Sequence, residues 1–153
     1  MVSSYKLTNL SRRDMATCRQ LLDFFGRITM EPGLINIETK DILHLLESSR
    51  GSLWMVSSEI SGAAASMQRA AEQAVEKLSQ QVDISTVKGA AIVITCADER
   101  DVTMMSVLTA ADILQQKLEP ELVRGLYIAS SKVAWRYKVD IMAVGCYLKI
   151  YGI

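Results

Sequence analysis

The segment from Glu31 to Ile42, EPGLINIETKDI, holds the residues with the greatest potential for chemistry. It places two carboxylates, Glu38 and Asp41, three residues apart, behind a short apolar run that ends near Asn36. Two carboxylates at a strand-to-helix corner can polarise a water molecule, but they need an electrophile presented from elsewhere. A local role also fits, because a helix capped at Thr39 would favour a carboxylate in its first turn by about 0.3–1 kcal/mol. The residues alone leave both interpretations open.

Other catalytic arrangements are poorly supported by the sequence. A serine or cysteine nucleophile needs a nearby base, and His44 is the only histidine. It lies among leucines on a short predicted helix, where a structural or surface role explains it better. The eight glycines are never closer than seven residues apart, so neither a dinucleotide-binding turn nor a phosphate-binding loop is present. We therefore expect this chain alone to bind no nucleotide.

Composition excludes several classes of partner. The 153 residues fit one domain, and 50% apolar with 22% charged residues is typical of a globular protein. Lys+Arg and Asp+Glu balance at 17 each, so no net field favours nucleic acid or an anionic membrane. The longest apolar runs are of strand length, too short to cross a bilayer. We expect no nucleic-acid partner and no membrane insertion.

The three cysteines, Cys18, Cys96 and Cys146, are far apart and form no CxxC pair. Because the N-terminus shows no signal-peptide pattern, we interpret them as reduced, buried thiols of a cytoplasmic protein. With one histidine and no ligand pair at helical spacing, a metal site is not expected.

Apolar periodicity predicts a helix followed by the order β-α-β-α-β-α-β-β. The predicted helices begin near Ser11 (ending before Pro32), at Thr39, at Gly62 and at Asp101. The predicted strands cover residues 34–37, 52–58, 89–97, 122–131 and 137–148. Since the last two strands are joined by a short connection, we expect them to form an antiparallel pair.

These elements predict an α+β fold of two to three layers, in which helices back a mixed sheet of about four main strands. The strand at residues 89–97 is apolar on both faces, so both faces need covering, and the N-terminal helix is the candidate for the second layer. Trp54 is expected in the core, and Trp135 on a contact surface. The following methionines are also expected in the core: Met55, Met67, Met104, Met105 and Met142.

The segment PGLINIETKDI resembles the loop of the FtsZ/tubulin superfamily that reads P-G-L-I-N-V-D-x-x-D-[VI] in FtsZ. Three later segments resemble the family in order and spacing. The resemblance covers about residues 32–145, and the first loop is its specific motif. The later segments are ASMQRAAEQAVEKLSQQ, ISTVKGAAIVITCADERDV and RYKVDIMAVG.

This resemblance implies an isolated C-terminal, activation-type domain at residues 32–153, preceded by an N-terminal segment and connecting helix at residues 1–31. The family's GTP-binding half, with its glycine-rich loop, is expected to be missing, so the chain alone should have no GTPase activity. GTP would lie on a neighbouring FtsZ/tubulin-like subunit, either the same protein or a homologue, in a cytoplasmic polymer that serves cell division.

In the family, this loop completes the GTP site of the next subunit. By position, Asn36 would contact the nucleotide, while Glu38 and Asp41 would orient the attacking water. Glu38 departs from the family's Asp, and the extra methylene moves the carboxylate by roughly 1 Å, a displacement that can cost about a hundredfold in rate.

Two other functions fit the sequence. One is a stand-alone interaction or polymer-capping domain that has kept the fold without a catalytic role. The other is a small-molecule-binding α+β domain, since one fold hosts many functions. The sequence shows no cluster of acid, base and arginine that would favour the latter.

Overall fold

The computed structural model describes residues 12–30, 33–48, 53–118 and 121–149, and within the helices and strands it leaves out the side chains of residues 12–18, 29, 48 and 121. The helices are α1 (Arg12–Met30), α2 (Thr39–Ser48), α3 (Met67–Gln81) and α4 (Met104–Lys117). The strands are β1 (Leu53–Ile60), β2 (Gly89–Cys96), β3 (Glu121–Ile128) and β4 (Tyr137–Val144). None of the helices in this described part has the length and apolarity needed to span a membrane.

The four strands form one mixed sheet in the order β1-β4-β2-β3, which confirms the predicted sheet type. β4 runs antiparallel to both of its neighbours, and β3 runs parallel to β2. The predicted antiparallel pairing of the last two strands is wrong. β4 is buried along almost its whole length, so a central position covers its apolar side chains best. The connection at residues 129–136 reaches that position by crossing the end of β2, where Ala129 N–H donates to Cys96 O.

Helices cover both faces of the sheet, and this confirms the layered prediction. α3 and α4 pack on one face, and α1 and α2 on the other, so the N-terminal helix does contribute to the second layer. β2 is buried on both sides, as its composition predicted. The larger cluster includes Met67, Leu78, Ile92, Leu114 and Ile141, and the smaller one includes Phe24, Ile28, Ile42, Leu45 and Met142.

Two helices begin later in the chain than the sequence predicts. α3 begins at Met67, later than predicted, because Ser66 caps it by accepting from Arg69 N–H. α4 begins at Met104 and not at Asp101, because Thr103 and Ser106 form a capping box. Asp101 instead ends a 3₁₀ turn. The start predicted for the first helix, Ser11, lies outside the described residues, and α1 extends to Met30, as expected.

The predicted core is confirmed only in part. Trp54 is buried and donates from Nε1 to Gln81 Oε1 at 2.6 Å, and Met55, Met67 and Met142 are buried. Met104 and Met105, however, are 76% and 73% exposed, so their assignment to the core is wrong. At 100° per residue, Met105 lies roughly 140–180° around α4 from buried Ala110 and Leu114, and Met104 lies roughly 80–120° from them. Trp135 is half-buried, and its contact role stays a prediction.

Candidate functional site

Residues 33–38 form an extended loop that links α1 to α2 along the outer edge of β3. The strand predicted at residues 34–37 is wrong, because only one bridge forms, between Ile35 and Leu126. Leu34 and Ile35 N–H donate to Leu126 O at 2.8 and 3.1 Å, and Leu126 N–H donates back to Ile35 O at 2.9 Å. The chain then turns into α2 at Thr39, which leaves no length for a longer ladder.

Two glycines allow this loop to approach β3 closely. A Cβ at Gly33 would lie 2.7 Å from Leu126 O and 2.8 Å from the Tyr127 ring. A Cβ at Gly125 would lie 2.9 Å from both Ile37 and Tyr127 side-chain atoms. Sequence reasoning missed this packing, although a glycine inside the apolar run LVRGLYI is a known sign of close backbone approach.

Asn36 is exposed, and its side chain closes the loop on itself. Oδ1 accepts from Gly33 N–H at 2.7 Å, and Nδ2 donates to Gly33 O at 3.3 Å. The amide still has one donor and one acceptor position to offer a ligand. Asn36 therefore shapes the loop, and its predicted nucleotide contact stays a prediction.

Glu38 presents a solvent-exposed carboxylate at the start of α2. Its side chain is 62% exposed and pairs with Lys40 Nζ at 3.1 Å, a contact that raises the pKa of Lys40. Such an exposed pair is held weakly in water, so the carboxylate can exchange partners readily. Glu38 O accepts from the N–H groups of Asp41 and Ile42, which puts Glu38 at the cap position predicted for Thr39.

Asp41 is half-buried in the first turn of α2, as the local interpretation predicted. The corner therefore holds one exposed and one partly sheltered carboxylate. His44 is exposed on the same helix. Within the described ranges, no three His, Cys, Asp or Glu side chains are placed to hold a metal ion together.

An apolar surface lies beside the loop, and we call it the α4 patch. It comprises five large side chains in the loop and on α4 that are each 46% or more exposed. They are Leu34, Ile35, Met104, Met105 and Leu108. Ile35 and Leu108 also line a groove of about 190 Å³ between α4 and β3. The sequence did not predict this patch, because the methionines were assigned to the core.

A second cavity, which we call the polar cleft, has a volume of about 760 Å³ and lies at the β1 edge, between α1 and α3. The Ser58 hydroxyl that lines it is buried and has no hydrogen-bond partner in the part of the chain that the structure describes. The charged residues around it are Asp23, Arg27, Glu59, Glu76, Lys77, Lys138 and Asp140.

No protein-family model and no curated protein matches this chain. Solved structures do. A tryptophan-to-tyrosine mutant of FtsZ from M. jannaschii superimposes with a TM-score of 0.69 at 16% identity, over 91% of this chain and 42% of the other. An empty FtsZ dimer from M. jannaschii gives 0.66 at 16% identity, over 96% and 48%. CetZ2 from Haloferax volcanii, in a GTPγS-bound protofilament, gives 0.56 at 14% identity, over 94% and 44%.

These comparisons establish the fold. The mixed four-stranded sheet with its four helices has the fold of the FtsZ C-terminal domain, and the resemblance seen in the sequence is confirmed at that level. The chain spans less than half the length of each of these proteins. The division at residues 31 and 32 stays a prediction.

Proposed function

We propose that this chain is the C-terminal domain of an FtsZ/tubulin-like cytoskeletal GTPase. It would mediate protofilament assembly, and its loop would complete the GTP-hydrolysis site of a neighbouring subunit. One observation carries the proposal: Glu38 holds out an exposed carboxylate from a loop fixed to the sheet edge, in a domain with the FtsZ C-terminal fold. GTP would be bound by the neighbour.

The chemistry asked of the loop is modest. Phosphoryl transfer depends mainly on positioning and on electrostatic stabilisation, and a carboxylate that orients the attacking water is sufficient. Glu38 and Asp41 would share that role, and Asn36 would use its remaining amide positions on the nucleotide. Lys40 competes with the water for Glu38, so this ion pair would have to open when the subunits meet.

The α4 patch gives the proposed contact its apolar component. Several large exposed apolar side chains on one side of a small domain are typical of an interaction surface. Here Ile35 of the loop and Leu108 of α4 line the same groove, which connects the loop to the exposed side of α4. One docking event would therefore cover the apolar surface and place the carboxylates against the partner.

A capping domain without a catalytic role is the second candidate. It is favoured by the contact of Asn36 with Gly33 and by the ion pair of Glu38 with Lys40, which engage part of the polar groups of the loop within the domain itself. A small-molecule-binding domain draws support from the polar cleft.

Addition of the purified chain to a polymerising FtsZ-type GTPase separates these functions. GTP turnover and filament length should be measured for the wild type, for Glu38→Gln/Asp41→Asn and for Glu47→Gln, an exposed carboxylate on the same helix that serves as the control. We expect the wild type and the control to change turnover equally, and the double variant to lose about tenfold or more of that effect.

Filament shortening by the wild type and the double variant alike, without a change in turnover, would indicate capping. Met104→Lys/Met105→Lys should abolish either effect, since it charges the α4 patch. No effect of the wild type on turnover or length would contradict the assembly proposal. We expect the chain alone to bind no GTP, and micromolar binding would show that it contains a nucleotide site of its own.

The proposal also implies a cytoplasmic location and a role in cell division. A fluorescent fusion that fails to join FtsZ-type structures in cells would contradict both.

A further inference from the structure

A row of polar groups interrupts the apolar sheet face under α1. Ser57 on β1 lies directly opposite Asp140 on β4, and its Oγ donates to Asp140 Oδ1 at 2.6 Å. Arg27 reaches this row from the last turn of α1, where its Nη1 lies 2.8 Å from Thr95 Oγ1 and 3.5 Å from Asp140 Oδ2. We call these four residues the clasp. It joins α1 to three neighbouring strands at one point.

The clasp is not explained by stability alone. Asp140 is only 6% exposed, and burial raises the pKa of its carboxyl. The rest of this face is filled by side chains such as Met55 and Met142, and apolar residues in place of both Arg27 and Asp140 would avoid the desolvation cost. Replacing a buried ion pair by apolar residues is often neutral or stabilising, whereas such pairs can select one packing geometry.

The clasp can fix the rotation of α1 on the sheet. The other anchors of α1, Phe24 and Ile28, are apolar and tolerate small rotations, because apolar contacts are not directional. Arg27 fixes the rotation, because its guanidinium must meet both Thr95 and Asp140. α1 ends at Met30, with only two residues between it and Gly33, so the orientation of α1 restricts where the loop at residues 33–38 can begin. The far side of that loop is held by Leu126.

We propose that Arg27 and Asp140 are positioning residues for the loop, which set the rotation of α1 on the sheet and through it the contact of residues 34 and 35 with Leu126. The significance for GTP hydrolysis rests on the proposed function. The effect on the loop itself does not.

Amide hydrogen exchange tests the clasp without any partner protein. The probes are the N–H groups of Leu34 and Ile35, which both donate to Leu126 O. We expect about tenfold faster exchange at both amides in Asp140→Asn and Arg27→Gln. Arg27→Lys should recover part of the protection. Arg19→Gln, an exposed arginine on the same helix, should exchange like the wild type.

Global stability, measured by urea unfolding of the same variants, separates positioning from simple packing. For Asp140→Asn we expect a free energy of unfolding equal to or above the wild type, together with the faster loop exchange. Loss of stability with equal acceleration at all core amides would show that the clasp only holds the fold together. The Arg27 side chain is partly exposed, so Arg27→Gln should fold. Equal exchange of the Leu34 and Ile35 amides in Arg27→Gln and Arg19→Gln would overturn the proposal.

The two proposals fail separately. If the clasp variants exchange Leu34 and Ile35 amides faster as expected, but the chain has no effect on GTP turnover or filaments, the assembly function is refuted and the clasp proposal is retained. If the chain changes GTP turnover, but the clasp variants leave the exchange of the Leu34 and Ile35 amides unchanged, the clasp proposal alone is refuted.

Discussion

Replacement of Gly33 by alanine tests the close approach between the loop and β3. The new Cβ would lie 2.7 Å from Leu126 O and 2.8 Å from ring atoms of Tyr127. Carbon atoms pack best at about 3.5–4.0 Å, so the loop and the ring must separate by roughly 0.7–1.2 Å. Overpacking of this kind costs about 1–3 kcal/mol. For a chain of this length, about 2–4 °C per kcal/mol gives a fall in Tm of about 2–12 °C.

Gly26 is the matched control for this substitution. It lies within α1, and a Cβ there would meet nothing within 4 Å. Gly26→Ala should therefore stabilise the protein by about 0.5–1 kcal/mol, because alanine is the better helix former. Thermal and urea unfolding of both variants would show changes of opposite sign. If Gly33→Ala is as stable as the wild type and keeps Leu34 and Ile35 protected from exchange, the steric argument is wrong.

Three further predictions concern single side chains. Tyr127→Phe should leave stability unchanged or raise it by about 1 kcal/mol in urea unfolding, because within the described residues the buried hydroxyl has no partner. A comparable loss would indicate that the hydroxyl is bonded. Thr103→Ala should lower stability by about 1 kcal/mol in thermal unfolding, while Thr103→Ser keeps the cap of α4; equal stability of the two would contradict the capping role. Burial raises the pKa of Asp140 above its ordinary 3.8, so the folded protein holds this proton to higher pH than the unfolded chain. This contribution favours folding most below pH 3.8 and is lost as pH rises through the folded pKa, so the free energy of unfolding of the wild type relative to Asp140→Asn should fall over that range. If this difference in free energy of unfolding instead rises with pH, the pKa of Asp140 is lowered by folding and not raised.

The element types were predictable because they depend on local pattern. α1 places its apolar residues at helical spacing, and β2 is apolar throughout, so both were recognised with the correct layer. The position of β4 was not predictable in the same way. A connection of eight residues between β3 and β4 permits a hairpin, yet the chain crosses β2 because both faces and both edges of β4 are then covered.

In the candidate site, too, features set by local sequence were predictable and features set by distant contacts were not. The motif predicted a loop with Glu38 and Asp41 at the start of a helix, and the structure places both there. It did not predict that Asn36 closes the loop, because that depends on backbone geometry at Gly33. The contact between Arg27 and Asp140 spans 113 residues of sequence, and no local pattern contains it.

The central place of β4 has a consequence for synthesis on the ribosome. β2, α4 and β3 can assemble as soon as they emerge, since they are consecutive in the chain. β1 must wait, because its described strand partner is β4 alone, and Ser57 and Asp140 are 83 residues apart. Contacts of such long range slow folding. A nascent chain halted before residue 137 would therefore expose two strand edges, one on β1 and one on β2, that the finished sheet pairs with β4, and such edges promote aggregation.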